Sequence, residues 1–185
     1  MAGSKKQVAA KGAEAKTKGK GSKKAKGTVL GGGEKAPNFE LAASDNKKYT
    51  LKDFRGRPVV LVFYPADFSP VCTDQLALYS AILPQFEKYK AQLFGVSVDS
   101  IWAHAAFAAD RDIKFPLLAD FNPKGRVSKK YGAYNKKEGL SERALFVLDP
   151  KGKIYWSYLS PMGQNPGADG ILKALKAMKE EGHDA

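Results

Sequence analysis

The chain has 185 residues, 43% of them hydrophobic, with one cysteine, two histidines and a formal net charge of +12. That is enough apolar side chain for one domain with a substantial core, and it excludes an internal disulfide, paired-cysteine zinc ligation and any apolar run near the ~20 residues of a membrane-spanning helix. The charge is uneven: residues 1–27 hold nine lysines against one acid, Glu14, so +8 of the +12 lies there and the rest is mildly basic.

The segment 1–30 reads as a disordered Lys-rich tail, because Lys, Ala and Gly leave it almost nothing to bury. A solubilising or vestigial tail, a salt-sensitive attraction to nucleic acid or another polyanion, and an engineered tag all remain open. No aromatic residue interleaves the lysines, which gives base stacking no support. Neither a secretory signal nor an Arg-rich transit helix is expected. A lone cysteine fits a reducing compartment, so the expectation is a cytoplasmic protein with no membrane partner, with nuclear or nucleoid association through the tail as a variant.

Residues 31–185 form the expected domain. Thr28 to Lys35 is a Gly-rich hinge, Ala36 to Ala42 a short edge strand, and Lys48 to Leu51 its hairpin partner across the turn Ser44 to Lys47. Val59 to Tyr64 is a run of β-branched and aromatic residues, the pattern of a strand buried on both faces. Pro65 ends it, and Pro70 stands where it can open a helix. Apolar residues at spacings of three and four then run from Leu76 to Tyr89, with a kink or restart at Pro84. Gln92 to Asp99 reads as a second buried strand. A helix over Trp102 to Asp110 has Ser100 as its N-cap. Phe115 to Leu118 is a short strand or turn, and Lys124 to Tyr131 a helix ended by Gly132. Arg143 to Leu148 and Lys153 to Leu159 make an antiparallel pair, and Gly170 to Glu181 an amphipathic helix. Strand–helix units followed by a late hairpin describe an α/β domain, a mixed sheet with helices on both faces.

The chemistry concentrates on Cys72, which falls in the first turn of the helix opened by Pro70. Unpaired N–H groups there carry partial positive charge, which favours a thiolate, the nucleophilic form. A lone cysteine is otherwise often a small buried hydrophobe. Three features point beyond that: the position at a strand end, where open α/β sheets place ligand sites; the hydroxyl of Ser69 three residues upstream; and the stiffness two prolines give the turn.

Pro65 to Cys72 resembles the peroxiredoxin active-site motif P-x-x-x-(T/S)-x-x-C. Gly33 to Phe39, Gly95 to Ser100 and Ser141 to Asp149 resemble further blocks of that family in the same order, so the likeness spans about Gly33 to Glu181. The resemblance implies a thioredoxin-like fold and a peroxidatic role for Cys72, whose thiolate takes one peroxide oxygen and becomes a sulfenic acid. It implies that Ser69 hydrogen-bonds thiolate and peroxide, that Arg143 sits near Cys72 and stabilises charge on the leaving oxygen, and that Pro65 shields the thiolate from water. Serine at position 69 is a departure from the more frequent threonine; it keeps the hydroxyl and loses the methyl that limits its rotamers. The positions where many relatives carry a resolving cysteine hold Ala77, Ala103 and a cysteine-free stretch after Gly163. The sulfenic acid therefore needs an external thiol: thioredoxin, a glutaredoxin-like protein or a low-molecular-weight thiol. A homodimer is expected on resemblance alone, and no cofactor or metal is. The competing reading is a peroxide-sensing or nucleic-acid-tethered binding protein on the same fold; a general disulfide oxidoreductase lacks its C-x-x-C pair.

Overall fold

The computed structural model describes residues 28–183. The Lys-rich stretch 1–27 lies outside the described residues, and with it every expectation placed there. Leu30, within the stretch assigned to the tail, is buried, its N–H on the Tyr131 carbonyl at 3.1 Å.

A short hairpin, β1 (Glu40–Ala42) and β2 (Lys48–Thr50), is followed by a single 3-10 turn over Leu51–Phe54. Then come β3 (Val59–Phe63), α1 (Pro70–Ala81), α2 (Leu83–Glu87), β4 (Gln92–Ser97), α3 (Ile101–Asp110), β5 (Leu117–Ala119) and α4 (Arg126–Lys130). A two-residue hairpin, β6 (Tyr134–Asn135) and β7 (Leu140–Ser141), precedes β8 (Ala144–Leu148), β9 (Ile154–Leu159) and α5 (Asp169–Glu180). The helix restarts at Pro84 as expected, because proline cannot supply the bond that would continue α1. The Ser100 hydroxyl accepts from the Ala103 N–H at 3.3 Å, the expected cap of α3.

The main sheet has the order β5-β4-β3-β8-β9, with β3 parallel to β4 and antiparallel to β8. This is the mixed sheet of a thioredoxin-like fold. All five residues of β3 are buried, each contributing about 1.5–3 kcal/mol if left exposed when unfolded. Their side chains alternate between two clusters. Val59, Leu61 and Phe63 join Phe94, Phe146, Val127 and Tyr131 on the face covered by α4 and the β1–β2 hairpin. Val60 and Val62 join Leu76, Tyr79, Phe86, Phe107, Ile171 and Leu175 beneath α1, α2, α3 and α5. Cys72 lies in the second cluster.

Several boundaries differ from the sequence reading. Only Glu40–Ala42 of the expected first strand is paired in the ladder. Leu51 leaves its strand for the 3-10 turn, where its side chain reaches the core. The sequence reading assigned no element between Gly132 and Ser141, where the chain is polar and lacks alternation; the β6–β7 hairpin forms there, turned by Gly139 at φ +67°.

Candidate active site

The site forms where β3 leaves the sheet. Tyr64 and Pro65 are buried, and the Tyr64 N–H still bonds the Val96 carbonyl at 3.1 Å. The chain then turns back through Phe68, whose φ of +60° is unusual for a bulky side chain. Its ring is half exposed and packs edge-on to Phe107, centroids 5.0 Å apart. Ser69 is the N-cap residue of α1, Pro70 its first helical residue, and Thr73 N–H closes the first turn on the Ser69 carbonyl at 2.9 Å. Cys72 is thus the third residue of α1, as the sequence indicates. Its N–H and that of Val71 belong to the helix start, which has no preceding turn to receive them.

Arg143 is brought to this point by register. Ala144, the first residue of β8, pairs with Phe63, the last of β3, so Arg143 lies alongside the exit of β3. Arg143 is 1% exposed. Nη2 donates to Cys72 Sγ at 3.4 Å and to the Met162 carbonyl at 2.9 Å; Nε donates to the same carbonyl at 3.1 Å. Nη1 donates to Gln75 Oε1 at 2.6 Å. Among the described residues no carboxylate forms an ion pair with Arg143, so a buried positive charge is held by neutral oxygens and one sulfur. Burying a cation without a counter-charge is costly, and an ionised Cys72 would supply that charge.

Gln75 was not singled out in the sequence, although it lies three residues beyond Cys72 and so on the same helix face. Its Nε2 donates to Tyr79 Oη at 3.2 Å, and Tyr79 Oη donates to the Gly167 carbonyl at 2.8 Å. Burial pushes the Tyr79 phenol up to about 12, with Gln75 and Arg143 opposing, so it stays a neutral donor at neutral pH. Ser160 N–H donates to the Arg143 carbonyl at 2.8 Å. The segment after β9 therefore clamps Arg143 from one side and α1 from the other.

A second network anchors the turn itself. Asp67 N–H bonds Asp99 Oδ2 at 2.9 Å, and Asp99 Oδ2 accepts from the Ser97 hydroxyl at 2.6 Å. Asp67 Oδ1 accepts from Tyr64 Oη at 2.7 Å, and Asp67 Oδ2 lies 2.8 Å from His104 Nδ1. The other ring nitrogen, Nε2, faces the Leu118 carbonyl at 3.2 Å. The ring thus lies between two oxygens, one of the Asp67 carboxylate and one of the Leu118 backbone. Burial, then the adjacent Asp67, hold the Tyr64 phenol well above its usual range.

Of the four sequence-derived residues, Cys72 and Arg143 are in direct contact. Ser69 and Pro65 flank Cys72 along the chain; the Ser69 hydroxyl does not cap α1. The peroxidatic role that the resemblance implies needs a sulfur open to a small oxidant, whereas Cys72 is 0% exposed. The cause is helix phase, because Cys72, Gln75, Leu76 and Tyr79 share the face of α1 turned to the sheet. No group of three or more metal-ligating side chains occurs among the described residues, and no helix there is long and apolar enough to cross a membrane.

Comparison with known proteins is consistent across sequence and structure. Residues 32–157 match the model of the AhpC/TSA family. A peroxiredoxin of Thermoplasma volcanium is 31% identical over 153 residues, covering 80% of this chain and 74% of that protein. A putative peroxiredoxin in the rubredoxin operon of Clostridium pasteurianum is 34% identical over 163 residues, covering 81% and 90%. Among solved structures, Enterococcus faecalis AhpC superposes with a TM-score of 0.76 at 28% identity, covering 84% of this chain and 97% of that one. The bacterioferritin comigratory protein of Xanthomonas campestris gives 0.69 at 32% identity, covering 75% and 90%.

Proposed function

The chain belongs to the AhpC/TSA family, the peroxiredoxins, and on that premise we propose that Cys72 is the residue that meets peroxide and that an external thiol completes the cycle. As a family member the protein is a thiol-dependent peroxidase, an antioxidant oxidoreductase with a peroxide substrate and a thiol reductant. The observation that carries the assignment to Cys72 is the Arg143 guanidinium, buried, without a carboxylate, 3.4 Å from the single cysteine sulfur.

In the reaction the Cys72 thiolate attacks one peroxide oxygen. An S–O bond forms, the O–O bond breaks, and the leaving oxygen takes a proton and departs as water or an alcohol. The peroxide is reduced by two electrons and the sulfur oxidised to a sulfenic acid. Arg143 stabilises charge building on the leaving oxygen. The Ser69 hydroxyl and the N–H groups of Val71 and Cys72 hold the peroxide in line, and Pro65 keeps water from the thiolate. One external thiol then displaces water from the sulfenic sulfur to give a mixed disulfide. A second releases Cys72 as a thiol and leaves as the disulfide of the reductant.

Because Sγ is fully buried, the first turn of α1 and its neighbours must part to admit even a small hydroperoxide, and further to admit a thiol. The Xanthomonas campestris relative is described by its alkyl peroxide reduction activity, which supports alkyl hydroperoxides beside hydrogen peroxide as substrates here. Thioredoxin, a glutaredoxin-like protein and a small thiol each satisfy the chemistry as reductant. We read the protein as a cytoplasmic homodimer; support for the dimer is the edge strand β9 with its exposed Tyr158 and Leu159. Weak polyanion binding by the lysines of residues 1–27 is part of the same reading.

Turnover counting tests the assignment. Many peroxide equivalents consumed per chain with a thiol present, and none by Cys72→Ser, would support it. A single stoichiometric oxidation with thioredoxin, glutaredoxin and glutathione alike would favour a peroxide sensor instead.

A further inference from the structure

We infer that the domain carries its own phosphate-backbone binding surface, at the end of the sheet opposite Cys72, and that its partner is nucleic acid. A cleft of about 190 Å³ there is lined by Gly56, Arg57, Pro58, Lys88, Tyr89, Lys90 and Lys179. Four of these are cations and none is an acid. Two adjoining recesses extend it through Lys173 and Lys176 on one side and Glu87 on the other.

The cleft is assembled from three separate elements. Arg57 and Pro58 lead into β3, Lys88 to Lys90 lead into β4, whose start pairs with that of β3, and Lys179 is in the last turn of α5. Arg57 Nε donates to the Lys90 carbonyl at 3.0 Å. That bond fixes the guanidinium and leaves both η nitrogens without a protein partner among the described residues. Lys88, Lys90 and Lys179 form no ion pair among those residues either; of the whole group only Lys176 does, with Glu180 at 3.8 Å. Cations at the ends of α2 and α5 are favoured by the helix dipole, which explains Lys88 and Lys179 locally. No such reason covers Arg57 or Lys90, which converge on the same space.

A single small anion would use the Arg57 cleft and leave Lys173 and Lys176 idle. A run of phosphates would engage the cleft and its extension together, and the nine lysines of residues 1–27 would add to the same electrostatic attraction. A lipid surface fits less well, since membrane-bound faces insert apolar side chains. The exposed large apolar residues, Phe68, Leu78, Trp102, Phe121, Tyr158 and Leu159, line none of these recesses. Tyr89, partly buried against the core, also lines the cleft. The five residues of β3, about 16 Å at ~3.3 Å each, separate this end from Cys72, so peroxide chemistry can proceed on the bound protein.

The test is fluorescence anisotropy of a short labelled DNA duplex with the full chain and with its Lys88→Ala/Lys90→Ala/Lys179→Ala variant, across about 50 to 200 mM salt. Each lost phosphate contact removes about 0.9 from the slope of log affinity against log salt, so the variant slope should be shallower by more than two while peroxide turnover is unchanged. An unchanged slope overturns the proposal, as does binding to anionic phospholipid vesicles with none to the duplex. Acetylation footprinting of the unmodified full chain gives an independent reading. Protection of Lys88, Lys90 and Lys179 by the duplex, with Lys47 and Lys48 unprotected, supports the surface; protection confined to the lysines of residues 1–27 overturns it.

Discussion

Arg143 Nη2 lies 3.4 Å from Cys72 Sγ, and among the described residues the guanidinium has no carboxylate partner. The contact joins residues 71 apart in sequence through the pairing of β3 with β8. Removing a donor aimed at developing charge costs about 10²–10³ in rate. Arg143→Met should therefore slow the peroxide step by about that much in stopped-flow assays. Arg143→Lys should recover little, because an ammonium cannot span Met162, Gln75 and the sulfur as a planar fork does. Full recovery by lysine would mean that charge alone matters.

Ser69 separates function from folding. Its hydroxyl does not cap α1, so Ser69→Ala should cost less than the ~1 kcal/mol of a lost cap while lowering kcat/KM for peroxide about a hundredfold. Ser69→Thr should retain activity, since it restores the hydroxyl with a stiffer rotamer. A stability loss in urea without a rate loss would reassign Ser69 to structure.

Gln75 and Tyr79 are positioning residues acting through Arg143. Gln75→Leu should reduce kcat/KM with peroxide while leaving the reaction of the sulfenic acid with thiol unchanged, a split that simple destabilisation would not produce. Tyr79→Phe leaves the Gly167 carbonyl without its donor, a loss of about 1–3 kcal/mol. The phenol also makes stability depend on pH. Its folded value, raised to about 12 chiefly by burial, exceeds the ordinary 10.0. The unfolded chain thus loses this proton first, and the contribution is full below about pH 10 and lost as pH rises towards 12. Unfolding free energies measured over that window should fall less steeply in Tyr79→Phe.

The Asp67–His104 contact is buried on both sides, with side chains 2% and 0% exposed. His104→Leu leaves Asp67 Oδ2 without its partner and only the Tyr64 hydroxyl on the other oxygen, and should cost about 3–5 kcal/mol. Adding Asp67→Asn should recover part of that loss, because the isolated charge disappears. Urea unfolding of the two single variants and the double variant checks this; strictly additive losses would mean the two groups are not coupled.

Much of this was legible in the chain. The apolar run of β3, the prolines before Cys72, the restart at Pro84 and the Ser100 cap each act through local backbone chemistry, which short spacing reveals. The Asp67–His104 contact spans 37 residues and depends on where α3 crosses the turn, which no local pattern encodes. Whether Cys72 is buried or open stayed undecided in the sequence, because a position at a helix start says nothing of helix phase. Gln75 could have been found, since it shares the Cys72 face at i+3.

The most direct measurement is intact-mass and peptide mass spectrometry of the reduced protein after sub-stoichiometric hydrogen peroxide, with and without glutathione. One added oxygen confined to Cys72, replaced by a mixed disulfide at Cys72 and then by free thiol as glutathione is raised, is the expected result. Oxygen appearing on Met162 or another methionine while Cys72 stays a thiol would contradict the proposed role of that sulfur.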